Sequence, residues 1–273
     1  IISGATFPFY PEDYLRWFAT CTYYAYNTYY NWEELRPMLS LAEEIRINEK
    51  ASLRVIGLTI ETRPDYVTPK TKDGSIDFSQ LKFFREIGVT RVQIGVQHYD
   101  DDILKKIKRD CYTRDTIKAI RLLKQAGLKV VCHLMPDLPG SSPALDMWMF
   151  KQAIENPDLQ FDDVKIYPTA ICKSHDDNLI VTSDIAEWYK NGIYKPYSEV
   201  DLNLLINVLE YYLTNMNPWV RIQRLVYIQT IHQIIDRQSN RIHTTQPLKQ
   251  RPLRLGFRGR RQQQQTGQQY CNR

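Results

Sequence analysis

"REIGVTRVQI" runs from Arg85 to Ile94, and "KQAGLKVVCH" runs from Lys124 to His133. Each reads as the end of a helix, a glycine that stops it, a short link and an apolar, β-branched run. Upstream of the first, Phe78, Leu81, Phe84 and Ile87 recur every three residues and stop at Gly88. Upstream of the second, Thr113 and Asp115 offer a helix cap, and Ile117, Ile120 and Leu123 share one face up to Gly127. Four strand candidates follow from the same pattern: Arg54–Glu61, Arg91–Gln97, Lys129–Pro136 and Asp163–Ile171, with starts 37, 38 and 34 residues apart. In the first of them Ile56, Leu58 and Ile60 alternate and can be buried together. A steady β–α period predicts parallel strands covered by helices. No glycine-rich phosphate loop follows any of these runs, so the reading is an α/β fold of partial β/α-barrel type and not a doubly wound sheet. After Ile171 the chain becomes more helical. Asp201–Leu213 is amphipathic, and Pro218 with Trp219 punctuates it.

The bulk numbers agree with a globular body. The 273 residues are 43% hydrophobic and 25% charged, enough for a sizeable core. The first residues are Ile-Ile and not Met, which suggests a piece of something longer. No apolar run approaches the ~20 residues a membrane span needs, and nothing at the start resembles a signal peptide. Cys21, Cys111, Cys132, Cys172 and Cys271 are far apart and form no C-x-x-C pair. This pattern points to a reduced, intracellular protein without a disulfide framework or a self-contained zinc site.

Charge is uneven. From Ile231 onward there are nine Lys/Arg against Asp236 alone, whereas the preceding chain carries 27 basic and 30 acidic residues. Gln262–Gln265 lies in the same basic segment, and large apolar residues become scarce beyond Leu255. Such a composition buries too little surface to offset its ordering entropy, so 231–273 is expected to be a disordered Gln/Arg-rich tail. A solvated tail and a phosphate-binding one both fit its charge.

In β/α barrels the chemistry sits where strands finish. Glu61, Gln97 and His133 fall at or near such ends, followed by Thr62-Arg63-Pro64, by His98-Tyr99-Asp100, and by Leu134-Met135-Pro136 with the turn "DLPG". A single Glu there reads equally as a cap or an ion-pair partner, and a single His as a hydrogen-bonded core residue. Polar residues at successive strand ends point instead to a ligand.

Four stretches, "IGLTIETRPDYVT" (Ile56–Thr68), "RVQIGVQHYDDDIL" (Arg91–Leu104), "HLMPDLPG" (His133–Gly140) and "KIYPTAI" (Lys165–Ile171), are similar to the radical S-adenosylmethionine domain of the Elongator catalytic-subunit family. They occur in that family's order and spacing, within a likeness that runs from Ile1 to about Val226. The resemblance implies a radical SAM partial barrel over 1–172, a helical extension over 173–230 that continues the RNA-binding region, and activity on the wobble uridine of tRNA. It implies S-adenosylmethionine, a 4Fe-4S cluster and acetyl-CoA as the cofactors of the full-length family. "SGAT" (Ser3–Thr6) resembles the Gly-Gly-Thr turn that binds the methionine amino group, which gives Gly4, Ala5 and Thr6 that role, with Ala5 standing where the family has a second glycine. Glu61, Gln97, Arg109 and His133 resemble the positions that hold the cofactor in related oxygen-independent coproporphyrinogen oxidases. Arg109, in "KKIKRD", also reads as a solvated basic helix end.

The family's cluster cysteines would lie before residue 1, and its acetyltransferase domain would follow the Trp219–Leu225 region. This resemblance therefore implies an enzyme fragment, inactive alone, or alternatively a non-catalytic remnant that binds tRNA or Elongator-type partners. A β/α-barrel metabolic enzyme would need a phosphate loop or metal cluster that the sequence does not display. Candidate RNA-facing residues are Lys165, Tyr167, Lys173, Lys190, Lys195 and Arg221, since phosphates need cations and a splayed base needs a π face. The expected partners are tRNA and other Elongator subunits, with neither DNA nor a membrane. The expected location is the cytoplasm, with the nucleus as a second compartment. The aromatic run Asn27–Trp32 reads as packing more readily than as a base platform.

Overall fold

Helix α1 (Glu12–Thr28) packs with α2 (Leu41–Asn48) before the first strand, β1 (Leu58–Thr62). Then come α3 (Ser79–Glu86), β2 (Val89–Gln97), α4 (Asp101–Lys106), α5 (Thr113–Gln125), β3 (Lys129–Leu134), α6 (Pro143–Glu155) and β4 (Asp163–Ile166). Helices α7 (Asp184–Lys190), α8 (Tyr197–Val200) and α9 (Leu202–Asn215) lead to β5 (Arg221–Arg224). This computed structural model describes residues 1–2, 6–31, 33–68, 75–171 and 183–225. Gly4, Ala5, Lys173, Cys172 and the basic tail 231–273 lie outside the described residues.

Among the described residues the five strands are all parallel, in the sequential order β1-β2-β3-β4-β5. A doubly wound sheet would reverse direction at a switch point. Sequential order winds the chain one way, as a barrel does, so the sheet is part of a β/α barrel. Leu58, Ile60, Val92, Ile94, Val96, Val130, Cys132, Leu134, Val164 and Ile166 form one buried face against the helices. Alternate positions on the other face are Thr59, Glu61, Arg91, Gln93, Gly95, Gln97, His133, Asp163 and Lys165, with Val131 the apolar residue among them. A sheet of this kind usually buries apolar side chains on both faces. Here the face away from the helices is mostly polar, which makes it the candidate site.

Local chemistry explains the helix limits. Gly88 and Gly127 sit at φ +82° and +72° just beyond α3 and α5, where a side chain would strain the backbone. Asp115 accepts the backbone N–H of Tyr112 at 2.9 Å, so the start of α5 is held as expected, one residue earlier than Thr113 suggested. Thr113 instead donates its hydroxyl to the Tyr99 carbonyl at 2.6 Å. The "DLPG" turn docks the later helices. Asp137 accepts the backbone N–H groups of Tyr197 and Ser198, and Asp146 accepts the Tyr197 hydroxyl at 2.6 Å.

The structure corrects several sequence expectations. Strand β1 starts at Leu58, and Ile56 is 93% exposed because it precedes any strand pairing. Strand β4 ends at Ile166 rather than Ile171. The extension over 173–230 is not purely helical, because Arg221–Arg224 pairs with β4 as a fifth strand. Its four residues, Arg-Ile-Gln-Arg, carry almost no apolar signal, and pairing alone makes them a strand.

Candidate functional site

The polar face is organised in layers. Near the amino ends of the strands, Asp163 accepts from Arg221 Nε at 2.8 Å and faces Arg91 Nε at 3.2 Å. This triad ties β2, β4 and β5 together. It also places Arg221 at the end of the sheet away from the strand termini that carry Gln97 and His133.

Above the triad stands a second layer. Gln93 Oε1 lies 3.1 Å from His133 Nε2 and accepts from Lys165 Nζ at 2.6 Å. The Tyr167 ring meets the His133 ring edge-on at 5.6 Å, and the Arg224 guanidinium lies 5.9 Å from the Tyr167 ring. Glu61 Oε1 approaches His133 Nδ1 to 3.6 Å, beyond hydrogen-bond distance. Lys165 and Tyr167, read from the sequence as RNA contacts, therefore share a cluster with the cofactor candidates Glu61 and His133.

Arg109 reaches this face from the loop after α4. Its Nη2 donates to the Gly95 carbonyl at 2.6 Å. A Cβ at position 95 would come within 2.7 Å of that same nitrogen, so glycine is what allows the guanidinium to lie over β2. Arg63 fixes the loop. It holds Asp65 through two bonds of 2.9 and 3.0 Å and donates to the Arg109 carbonyl at 3.0 Å. Lys108 and Asp110, on either side, take φ +54° and +49°, and Gln97 takes +74°. Non-glycine residues held at positive φ are commonly found where a site needs them. The polar "ETRP" ending of β1 thus has two uses: Glu61 faces His133, and Arg63 pins the loop that delivers Arg109.

Burial first, and then the cations of Lys165, Arg109 and Arg224, push the His133 imidazole down to about 3. Burial and the nearby Arg63 charge push Arg109 down, and burial pushes Lys165 down while Glu61 opposes it. His133 is therefore neutral at pH 7, and its approach to Glu61 is not an ion pair. The unfolded chain protonates this histidine near 6.5, so its contribution to stability is full above that pH and is lost as pH falls toward 3. At pH 5 it should lower the unfolding free energy by about 2 kcal/mol relative to pH 7. Urea unfolding of the wild type and of His133→Gln at both pH values checks this: the variant should lose that share of the slope.

Gln93 and Arg63 escaped the sequence reading, although Gln93, Gly95 and Gln97 alternate in "RVQIGVQ" and so could be placed on one face. The Thr6 carbonyl accepts the Phe9 N–H at 2.9 Å at the described edge of its motif, and the Ile2 N–H donates to the Thr59 carbonyl at 2.8 Å, beside β1. Lys190 and Lys195 are exposed in the α7–α8 region, apart from the layered cluster.

Parallel strands in sequential order, covered by helices and polar on the other face, define the class of protein as a β/α half-barrel. Residues 1–145 match the radical SAM superfamily, and the chain belongs to it. It is similar to the tRNA uridine(34) acetyltransferase of Methanocaldococcus infernus, with 40% identity over 225 residues, 82% of this chain and 37% of that protein. It is also similar to Elongator complex protein 3 of Saccharomyces cerevisiae, with 32% identity over 225 residues, 82% of this chain and 36% of that one. A solved structure of the archaeal Methanocaldococcus infernus Elp3 with an N-terminal deletion superposes with a TM-score of 0.68 at 34% identity, covering 88% of this chain and 53% of that one. The chain thus spans a little over a third of the curated relatives it matches.

Membership in the superfamily implies S-adenosylmethionine and a 4Fe-4S cluster. The polar face fits the first. Gln97 Oε1, Arg109 Nε and Gln93 Nε2 are buried without hydrogen-bond partners, a costly state that a polar ligand relieves. The described residues do not fit the cluster. No group of three or more His, Cys, Asp or Glu among them could hold a metal, and burial pushes the Cys111 thiol up to about 12 and Cys132 higher still. Thiols held protonated in this way are poor ligands. Among the described helices none is long and apolar enough to cross a membrane.

Proposed function

We propose that this chain is the cofactor- and RNA-facing part of the radical SAM half of a tRNA wobble-uridine acetyltransferase of the Elongator type. One observation carries the reading: Gln97, Arg109 and Gln93 bring unpartnered buried polar atoms to the same polar face as Glu61 and His133, at the strand ends of a radical SAM half-barrel. In the whole enzyme the bound S-adenosylmethionine and its cluster supply the radical chemistry, and acetyl-CoA supplies the two-carbon unit in a separate domain. The residues of this chain bind and orient. Arg109 offers paired donors to a carboxylate. Glu61 accepts from hydroxyl groups. Thr6, with Gly4 and Ala5, meets the methionine amino group. The exposed cations Lys190 and Lys195 contact tRNA phosphates, with Lys173 in the same role, and Tyr167 offers a π face to a base.

We infer that the chain by itself is inactive, since no group among its described residues could hold a metal cluster. We infer that its partners are tRNA and other Elongator-type subunits, and that it works in the cytoplasm, with the nucleus as a second compartment. Equilibrium dialysis with labelled S-adenosylmethionine and filter binding with tRNA test the reading. The chain should retain both. Glu61→Ala should weaken S-adenosylmethionine retention several-fold without changing the melting temperature. Lys190→Ala with Lys195→Ala should weaken tRNA binding and flatten its salt dependence by roughly two phosphate contacts. Retention of tRNA without any S-adenosylmethionine would favour a non-catalytic RNA-binding remnant instead.

A further inference from the structure

Gln93 is fully buried at the centre of the polar face and touches both Lys165 and His133 through one oxygen. Its amide orientation is determined by chemistry. Lys165 Nζ can only donate, so the atom 2.6 Å from it must be the amide oxygen; the reverse orientation would set two donors against each other. The same oxygen lies 3.1 Å from His133 Nε2, so that nitrogen must carry the hydrogen. A neutral imidazole then has a bare Nδ1. That Nδ1 faces the Glu61 carboxylate at 3.6 Å, beyond hydrogen-bond distance. Two acceptors therefore face each other with nothing between them to bond. The arrangement is unfavourable until a ligand brings donors to both.

We propose that Gln93 is a positioning residue that locks His133 in the Nε2–H tautomer, so that His133 Nδ1 and Glu61 together accept the vicinal hydroxyls of a ribose. The assignment of the face to a nucleoside-bearing cofactor rests on the functional reading above; the tautomer lock does not. Neutrality of His133 supports the lock, since the three cations around it and its burial oppose protonation. Two sources of ribose exist for such an enzyme, the adenosine of the cofactor and the nucleoside of the RNA. Both present the same diol.

The test uses the full 273-residue chain with ring-15N-labelled histidine and two-dimensional NMR of the imidazole nitrogens. His98 is also buried, and its Nδ1 accepts the Asp100 N–H at 2.9 Å, so it too should show the Nε2–H tautomer. The His133 signal is therefore assigned by its absence from His133→Gln. In the wild type His133 should show one signal, neutral and protonated at Nε2, down to about pH 5. Gln93→Leu should release it into a mixture of tautomers. Gln93→Glu keeps an acceptor at the same place and should keep the tautomer while raising the pH at which His133 titrates, a readout that a merely structural role would not produce.

Adenosine and uridine, each with its 2′-deoxy analogue, are then added in turn. The ribose carrier that belongs to the site should shift the His133 Nδ1 resonance, and its deoxy analogue should bind roughly three- to tenfold more weakly. A wild-type His133 protonated at Nδ1, or a Gln93→Leu tautomer identical to the wild type, overturns the lock. A correct tautomer with no response to either nucleoside overturns the ribose assignment. Failure to retain S-adenosylmethionine in dialysis, with the tautomer as described, would count against the functional reading and not against Gln93.

Discussion

Glu44→Ala is expected to lower the unfolding free energy by about 3 kcal/mol at pH 7, toward the lower end of what breaking a buried ion pair costs. The side chain of Glu44 is completely buried between α1 and α2, and Arg36 beside it is 34% exposed. Both guanidinium nitrogens of Arg36 donate to the carboxylate at 2.7 Å. Asn27 Nδ2 donates at 2.8 Å and the backbone N–H of Leu39 at 2.9 Å. Alanine would leave these donors facing a cavity, and partial exposure lets Arg36 recover some hydration, which is why the lower end applies. The Arg36 hydrogen bonds, opposed by burial, hold the Glu44 carboxyl down at about 2. Its folded value is depressed, so its contribution is present above the unfolded value near 4.5 and is lost as pH falls toward 2. Urea unfolding at pH 7 and pH 3 measures both effects. The gap between wild type and variant should be widest at pH 7 and should shrink at pH 3. A gap that is small at pH 7, or the same at both values, would show that the clamp does not stabilise the α1–α2 layer.

The winding of the sheet could be read from the chain because its signals are local. A helix period that ends at Gly88 or Gly127 and passes straight into a β-branched run fixes both element types and their direction. The strands that carry such runs, β2 and β3, were placed with one end right and the other two residues off. Strand β5 was invisible because Arg-Ile-Gln-Arg has no alternation to read, and only the edge of β4 makes it a strand. Glu61, Gln97 and His133 could be read as candidate site residues because strand ends are special in a barrel. Which basic residues join them was not. Lys165 lies on β4 opposite His133 and Tyr167 just beyond that strand, whereas Lys190 ends α7 and Lys195 lies in the loop after it, and which of these reach the polar face appears only once register is known. Arg221 was read as an RNA contact for its charge, and its ion pair with Asp163 at the start of β5 is a contact that charge alone does not reveal. Arg63 was read as part of a strand ending, and its true partner, the Arg109 carbonyl, is 46 residues away in sequence. Contacts of that range leave no periodic trace.

Gly95→Ala is expected to weaken S-adenosylmethionine binding tenfold or more while leaving the fold nearly intact. Gly95 sits inside β2 with no positive φ, so alanine brings no backbone strain of its own. The added methyl would stand 2.7 Å from Arg109 Nη2, the far end of a flexible side chain, and 3.4 Å from Gln97 Nε2. The guanidinium would move and the strand would not. Arg109 would lose its 2.6 Å bond to the Gly95 carbonyl and its alignment for a carboxylate. A hydrogen bond to a charged group contributes about 1.5–3 kcal/mol, which corresponds to roughly ten- to a hundredfold in affinity. Arg109→Ala should give a loss of the same size, and the double variant should add little, because both changes remove one interaction. Dialysis with labelled S-adenosylmethionine, paired with thermal unfolding, separates the outcomes. Equal affinity in Gly95→Ala and wild type would mean that Arg109 holds the β2 backbone and no ligand. A fall in melting temperature that matches the fall in affinity would make the glycine a packing requirement. Lost affinity with an unchanged melting temperature would place the cofactor's carboxylate at Arg109.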